Sequence, residues 1–325
     1  MEEEYKNNIE RTDLNKVTYK IAAVVVTYNR LELLKECIEA IRNQTRKLDE
    51  IIVVNNSSTD GTLEWLNEQK GLTVITQENS GGAGGFHTGI KTAYEKGYDW
   101  IWCMDDDVLP EKSAQQNLID FLIDKPYRIA AIASRRLNCN SNSVLSGEVL
   151  STDFSKIRHD FRYKLLNSEV QGQSEVINIF AATFEGMMIN SKAIKEIGFP
   201  NKNFFIWHDD LEYSIKLNRY GKIFLVPASV FIKKKMESNE IINAHGEILK
   251  YLYAIRNLSF IEFHCLTDQK LNPVIRVLSL TTYFSRYLRL VLFRSSNLSF
   301  KIKYSIRGVA QIYLGYKGKL GLINE

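Results

Sequence analysis

Two hydrophobic periods alternate through the first hundred residues. Lys20–Thr27 (KIAAVVVT) is an unbroken apolar run, which predicts a strand covered on both faces. Leu31–Asn43 (LELLKECIEAIRN) repeats its apolar positions at helical spacing. Ile51–Val54 predicts a second buried strand, and Asp60 is placed to cap a helix over Gly61–Gln69. Leu72–Thr76 predicts a third strand, His87–Lys96 a helix and Asp99–Met104 (DWIWCM) a fourth strand. Strands alternating with helices in this way predict βαβ units and a parallel sheet, an α/β fold.

Beyond this the pattern loosens. Arg128–Ser134 predicts a strand, and Asn138–Gln173 is polar and expected to be rich in loops. Val176–Thr183 and Gly186–Ile189 read as strands around a turn. Asp210–Arg219 predicts a helix stopped by Gly221, followed by the strand Lys222–Val226. After Lys235 the period is helical as far as Lys303. The expected organisation is an N-terminal extension over 1–19, an α/β domain over 20–235 and a basic helical region over 236–325.

Composition changes this picture little. An apolar fraction of 45% suits a globular chain with a sizeable core. The net charge of +4 hides an asymmetry. Residues 271–325 carry nine Lys/Arg against the single acid Glu325, so the rest of the chain is mildly acidic. These cations lie in an apolar tail rather than among stacking aromatics, so no nucleic-acid partner is expected. The four cysteines form no CxxC pair, which favours buried thiols in a reducing compartment. The polar, acidic start MEEEYKNNIERTD predicts no secretory leader, and no uncharged apolar run reaches about 18 residues, so no membrane-spanning helix is expected.

In an open α/β sheet, ligands bind beyond the C-terminal ends of the parallel strands. Four polar clusters fall there: Thr27-Tyr28-Asn29-Arg30, Asn55-Asn56-Ser57-Ser58, the glycine stretch from Asn79 to Phe86, and Asp105-Asp106-Asp107. Three adjacent carboxylates repel one another unless a cation is present, and Mg²⁺ or Mn²⁺ prefers such oxygens. Asp105 and Asp107 flank one residue, so their side chains can converge on one ion. The plainer alternative is a solvated turn leading to a helix start at Leu109-Pro110-Glu111. Gly81, Gly82, Gly84 and Gly85 would let backbone N–H groups approach an anion, as a loop entering a helix. No GK[ST] follows, and the turn TYNRLE lacks glycine, which disfavours a nucleotide-hydrolase loop and a nicotinamide site. The second acidic cluster, Trp207-His208-Asp209-Asp210, follows Phe204-Phe205-Ile206. An apolar setting would raise a carboxylate pKa toward that of a general base, although an acid here could equally cap the helix.

Together these motifs resemble the inverting family-2 glycosyltransferases of the GT-A (Rossmann-like) fold, over about residues 20–235. VVVTYNR is similar to their first strand and donor-binding turn, VVNNSSTDGT to their VVDNGSTDGT, DDD to their DxD and FIWHDDLEYSIKLNRYG to the helix bearing their catalytic acid pair. NSGGAGGF resembles a subgroup of galactofuranosyltransferases and rhamnosyltransferases. The resemblance implies a mixed, mainly parallel sheet flanked by helices. It also implies a nucleotide-sugar donor, UDP-galactofuranose first and dTDP-rhamnose as the alternative, and a glycan or lipid-linked glycan acceptor. Asp210, with Asp209 beside it, would deprotonate the acceptor. Thr27, Tyr28, Arg30, Asn56, Gly82, Gly84, Gly85, Asp105 and Asp106 would bind donor. Asp105 and Asp107 would hold Mn²⁺ or Mg²⁺. Trp207, His208 and Arg256, the last within a Y-x-x-R-N segment similar to the family's, would meet the acceptor.

Two departures stand out. Asn55 and Asn56 stand where the family often has Asp, and an amide oxygen can still accept a base N–H. No histidine follows the strand after the catalytic helix, where the family commonly has a metal ligand. The stretch runs Val226 to Lys235, so either His245 substitutes, or a lysine neutralises the diphosphate directly, or His245 is an ordinary loop residue. In Val274–Arg294, Arg276, Ser279, Thr282, Arg286 and Arg289 form one polar stripe on an otherwise apolar helix. Such a helix suits an anionic membrane surface, placing the protein at the inner, cytoplasmic face of the cell membrane, or it packs on the domain or in a homo-oligomer. A non-catalytic nucleotide-binding scaffold of the same fold is the alternative from a different class.

Overall fold

A computed structural model describes residues 18–123, 125, 128–145, 149–152, 163–165, 174–234, 250, 253–254, 256–258 and 260–261. His245 and the amphipathic stretch 274–294 lie outside the described residues, as do 1–17.

The first half alternates strand and helix: β1 Ile21–Thr27, α1 Leu31–Arg42, β2 Glu50–Asn55, α2 Thr62–Glu68, β3 Thr73–Thr76, α3 Gly81–Glu95 and β4 Trp100–Asp105. There follow β5 Val108–Pro110, α4 Ala114–Leu122, β6 Ile129–Asn138, β7 Val149–Thr152, β8 Tyr163–Leu165, β9 Ile177–Ile179, β10 Met187–Asn190, α5 Ser191–Ile197, α6 Asp209–Tyr220 and β11 Lys222–Lys233. Among the described residues the main sheet has nine strands in the order β3-β2-β1-β4-β10-β6-β11-β5, with β9 also on β11. β3, β2, β1 and β4 are mutually parallel, as are β6 and β11. β10 runs antiparallel to both of its neighbours, β4 and β6.

The unbroken apolar runs reflect burial on both faces. Ala22, Val24 and Val26 pack with Phe86 and Ile90 of α3 and Tyr213 and Leu217 of α6. Ile21, Ala23 and Val25 face Leu34, Cys37, Ile38 and Ile41 of α1, with Leu118 of α4. Alternate residues of one strand thus enter two cores, so neither face can be polar.

Four readings change. The glycine stretch is no loop, because α3 begins at Gly81 rather than His87. Leu109-Pro110 belongs to a strand, with the next helix starting at Ala114. The stretch 138–173 contains the antiparallel pair β7–β8. β11 also outruns its expected end at Val226. Its register shifts between Val226 and Val230, a span containing Pro227, which has no N–H for a ladder. The strand then continues to Lys233, at the edge where β4 ends.

Candidate active site

The ends of β1 and β4 are tied together by side chains. Thr27 Oγ1 donates to Asp106 Oδ2 at 2.7 Å, and Arg30 Nη1 reaches Asp106 Oδ1 at 3.2 Å and Asp107 Oδ2 at 3.4 Å. Asp106 is 2% exposed, so this middle acid, expected to touch the donor, instead braces β4 against the turn after β1. Burial pushes its carboxyl up to about 6 although Arg30 and Thr27 pull it down.

Its two neighbours converge as their spacing predicts. Oxygens of Asp105 and Asp107 lie within 4.8 Å of each other and of Glu185. Sequence reasoning missed Glu185. The signal was an acid in the turn before Gly186, whose N–H donates to Cys103 O at 2.9 Å and so lays this turn against the end of β4. Cations surround the trio. Arg136 Nη1 meets Glu185 Oε2 at 2.5 Å, and Lys233 Nζ meets Asp107 Oδ1 at 3.0 Å and also pairs with Glu185. Burial pulls Glu185 upward, but Arg136 and Lys233 outweigh it and hold its carboxyl below the usual range. Among the described residues Asp105 has no such close ion pair. Burial, Glu185 and Asp107 push it well above the ordinary value, with Lys233 opposing. Three hard oxygen donors around one point suit Mg²⁺ or Mn²⁺. Lys233 comes from the stretch where a histidine is missing.

On the far side of β1, Asn55 and Asn56 are buried at the end of β2. Asn56 Oδ1 accepts from Gln77 Nε2 at 2.8 Å, and its Nδ2 donates to Gly81 O at 3.2 Å. Tyr28 is half-buried on the same edge. Asp60 accepts from Leu31 N at 2.9 Å and Thr62 N at 3.2 Å, so it serves the starts of α1 and α2 together. Of the three glycines expected at the donor, Gly82 alone opens onto empty space. A Cβ on Gly85 would lie 2.4 Å from Val26 Cγ1, and one on Gly84 would lie 2.0 Å from Ser80 Oγ. These two seat α3 on its surroundings.

The second acidic cluster opens α6. Asp209 is buried, and Asp210 is half-buried with its Oδ1 accepting from Leu211 N at 2.7 Å. Burial and the neighbouring Asp210 push Asp209 up to about 8. Burial takes Asp210 up to about 6, while the Leu211 N–H and Arg136 draw it down and Glu185 raises it. Asp210 therefore feels the Glu185–Arg136 pair and sits toward the first cluster. Burial lowers His208 to about 4, leaving a neutral imidazole at neutral pH. Trp207 is 43% exposed, an aromatic face beside these acids. Arg256, expected to meet the acceptor, is 4% exposed and donates to the carbonyls of Asn203 and Phe204 at 3.1 and 2.8 Å, so it lies behind this loop.

A mixed sheet with acids converging at one edge and a second acid pair facing them defines a glycosyltransferase of the GT-A fold. The sequence profile of Glycosyl transferase family 2 matches residues 22–198, and the chain belongs to that family. The chain is 28% identical over 216 residues to galactofuranosyltransferase GlfT1 of Mycolicibacterium smegmatis, covering 64% of this chain and 68% of that protein. It is 23% identical over 220 residues to poly-beta-1,6-N-acetyl-D-glucosamine synthase of Staphylococcus aureus, covering 66% of this chain and 49% of the synthase. The fold is similar to that of S. aureus TarS 1-349 in complex with UDP-GlcNAc, with TM-score 0.54, 16% identity and coverage of 90% and 81%. It is also similar to GalNAc-T7 with UDP, GalNAc and Mn²⁺, with TM-score 0.57, 14% identity and coverage of 94% and 56%.

Proposed function

We propose that this enzyme transfers galactofuranose from its UDP donor, with inversion, to a hydroxyl of a growing, lipid-linked cell-surface glycan. The observation that carries this reading is the convergence of Asp105, Asp107 and Glu185 within 4.8 Å of one another, with the half-buried Asp210 at the start of α6 as the candidate base. The similarity to GlfT1 supports the choice of donor.

In this reading Asp210 takes the proton of the acceptor hydroxyl. The freed oxygen attacks the anomeric carbon, the bond from that carbon to the β-phosphate oxygen breaks, and UDP departs with the bonding pair. One displacement on one face inverts the anomeric centre. Trp207 offers an apolar face to the acceptor sugar, and neutral His208 can donate or accept a hydrogen bond there. The residues present fit a divalent ion: Asp105, Asp107 and Glu185 would hold Mn²⁺ or Mg²⁺. When bound, the ion supplies positive charge against the diphosphate. Lys233 and Arg30 add fixed positive charge on the same side, which favours the leaving group electrostatically. The nine cations after residue 270 support docking on the anionic inner face of the cell membrane, where a lipid-linked acceptor would lie.

The test is a panel of UDP- and dTDP-sugars scored by transfer and by donor hydrolysis, each with and without Mn²⁺ or Mg²⁺. UDP-galactofuranose should give the fastest turnover. Faster turnover with dTDP-rhamnose would reassign the donor. Tight UDP binding without turnover on any donor would point to a scaffold.

A further inference from the structure

The loop that carries Trp207, His208 and Asp209 into α6 holds an unusual backbone. Phe205, Trp207 and His208 all have positive φ, at 67°, 64° and 66°. None is glycine, so each conformation is disfavoured and persists only where its surroundings impose it. The first turn of α3 and the segment carrying Tyr253, Arg256, Asn257 and Phe260 supply that constraint.

Every carbonyl from 203 to 207 is held. Arg256 Nη2 donates to Asn203 O and Phe204 O. Asn257 Nδ2 donates to Phe204 O at 3.0 Å, Ile206 O at 2.8 Å and Trp207 O at 2.8 Å. Phe205 O accepts from Ala83 N, in the first turn of α3, at 3.3 Å. There Gly81 has φ 72°, and any Cβ on it would lie 1.9 Å from Phe205 O, so the approach requires glycine. Behind the loop the Phe205 ring stacks on Tyr253 at 5.0 Å, Phe204 meets Phe260 edge-on at 5.5 Å, and the Arg256 guanidinium lies over Tyr253 at 4.9 Å. Asn257 Oδ1 in turn accepts from Arg256 Nε at 2.9 Å and Nη2 at 2.7 Å, so the pair is locked before it meets the loop. Asn257 and Tyr253 are fully buried.

We propose that Asn257, oriented by Arg256, is a positioning residue that holds the strained loop in the one backbone shape presenting Trp207 and Asp210 to the reacting sugars. It touches no substrate. The claim that this governs turnover rests on the proposed transferase reading, whereas the claim that it holds the loop does not. A side chain that only filled space would not engage three carbonyls of one strained segment. The Y-x-x-R-N segment therefore acts through the loop rather than on the acceptor itself.

The test pairs hydrogen exchange with kinetics on the full chain. In Asn257→Ala, peptides spanning 203–212 should exchange at least about tenfold faster, while peptides of β1 and β4 keep their wild-type rates. Turnover should fall about thirtyfold with the donor KM within about twofold, and UDP titration should be unchanged. Tyr253→Leu leaves the Asn257 donors in place and removes the ring that lies under both Phe205 and the Arg256 guanidinium. It should show the same pattern at about fivefold, and it decides the matter if Asn257→Ala does not fold. Wild-type exchange over 203–212 in the folded variants would overturn the proposal, as would acceleration spread evenly over the chain. Local acceleration with turnover unchanged would overturn the catalytic half. If no donor supports turnover even in the wild type, the transferase reading fails while the exchange result still decides the clamp.

Discussion

The two acidic clusters at the sheet edge differ in how closely cations meet their carboxylates, although burial raises Asp105 and Asp106 of the first as it raises Asp209 and Asp210 of the second. Asp107 and Glu185 are met by Arg30, Arg136 and Lys233 within 3.4 Å. Asp209 and Asp210 have no such partner among the described ion pairs, and burial raises both. Arg136 and Lys233 hold Glu185 below the usual carboxylate range, which suits a ligand for a hard cation. Desolvation without compensation makes a carboxylate a stronger base, which suits proton abstraction near neutral pH. Arg136 links the two regions, since it pairs with Glu185 and also draws Asp210 down from the value burial alone would impose.

That contrast can be broken from either side. The largest effect on binding belongs to the first cluster: Asp107→Ala should lower Mn²⁺-supported UDP affinity at least about a hundredfold in isothermal titration. On the second side, the transfer rate should rise with pH along a limb centred at about 6, as Asp210 loses its proton. A pH–rate profile with no limb between 5 and 7 (the window about that value) would disconnect Asp210 from the chemistry.

Smaller effects concern stability. Glu185→Gln leaves Arg136 and Lys233 facing a neutral amide, and thermal unfolding should show a loss of about 2 kcal/mol. Asp209→Asn should act in the other direction. Its folded-state pKa is raised to about 8, so between the unfolded value and about 8 the native state binds more protons. Wild-type stability therefore falls as pH rises through that window. The amide removes the cost, and the variant should gain about 1–2 kcal/mol at pH 8, about 3–6 °C in Tm, and nothing at pH 4.

Much of this was readable from residue order. Buried runs such as AAVVV declare strands covered on both faces, and Asp105 and Asp107 announce themselves by following such a run. Glu185 did not, because ligands are expected beyond the C-terminal ends of parallel strands. β10 is reversed, so it is the turn before the strand, with Glu185, that reaches the active edge. Lys233 was hidden by Pro227, which reads as a strand end, whereas β11 shifts register and continues. The glycines read as a loop because glycine is a poor helix former, yet packing of Gly85 on Val26 overrides that preference. Arg256 read as an acceptor contact because sequence does not show which carbonyls a buried guanidinium will meet.

The division of labour is tested most directly by the transfer rate of Asp210→Asn at saturating UDP-sugar and Mn²⁺. The account predicts a fall of about a thousandfold in a variant that is still saturated by donor at the wild-type concentration. Transfer within tenfold of the wild-type rate would contradict it, and would leave the compensated cluster as the only one of the two with a chemical role.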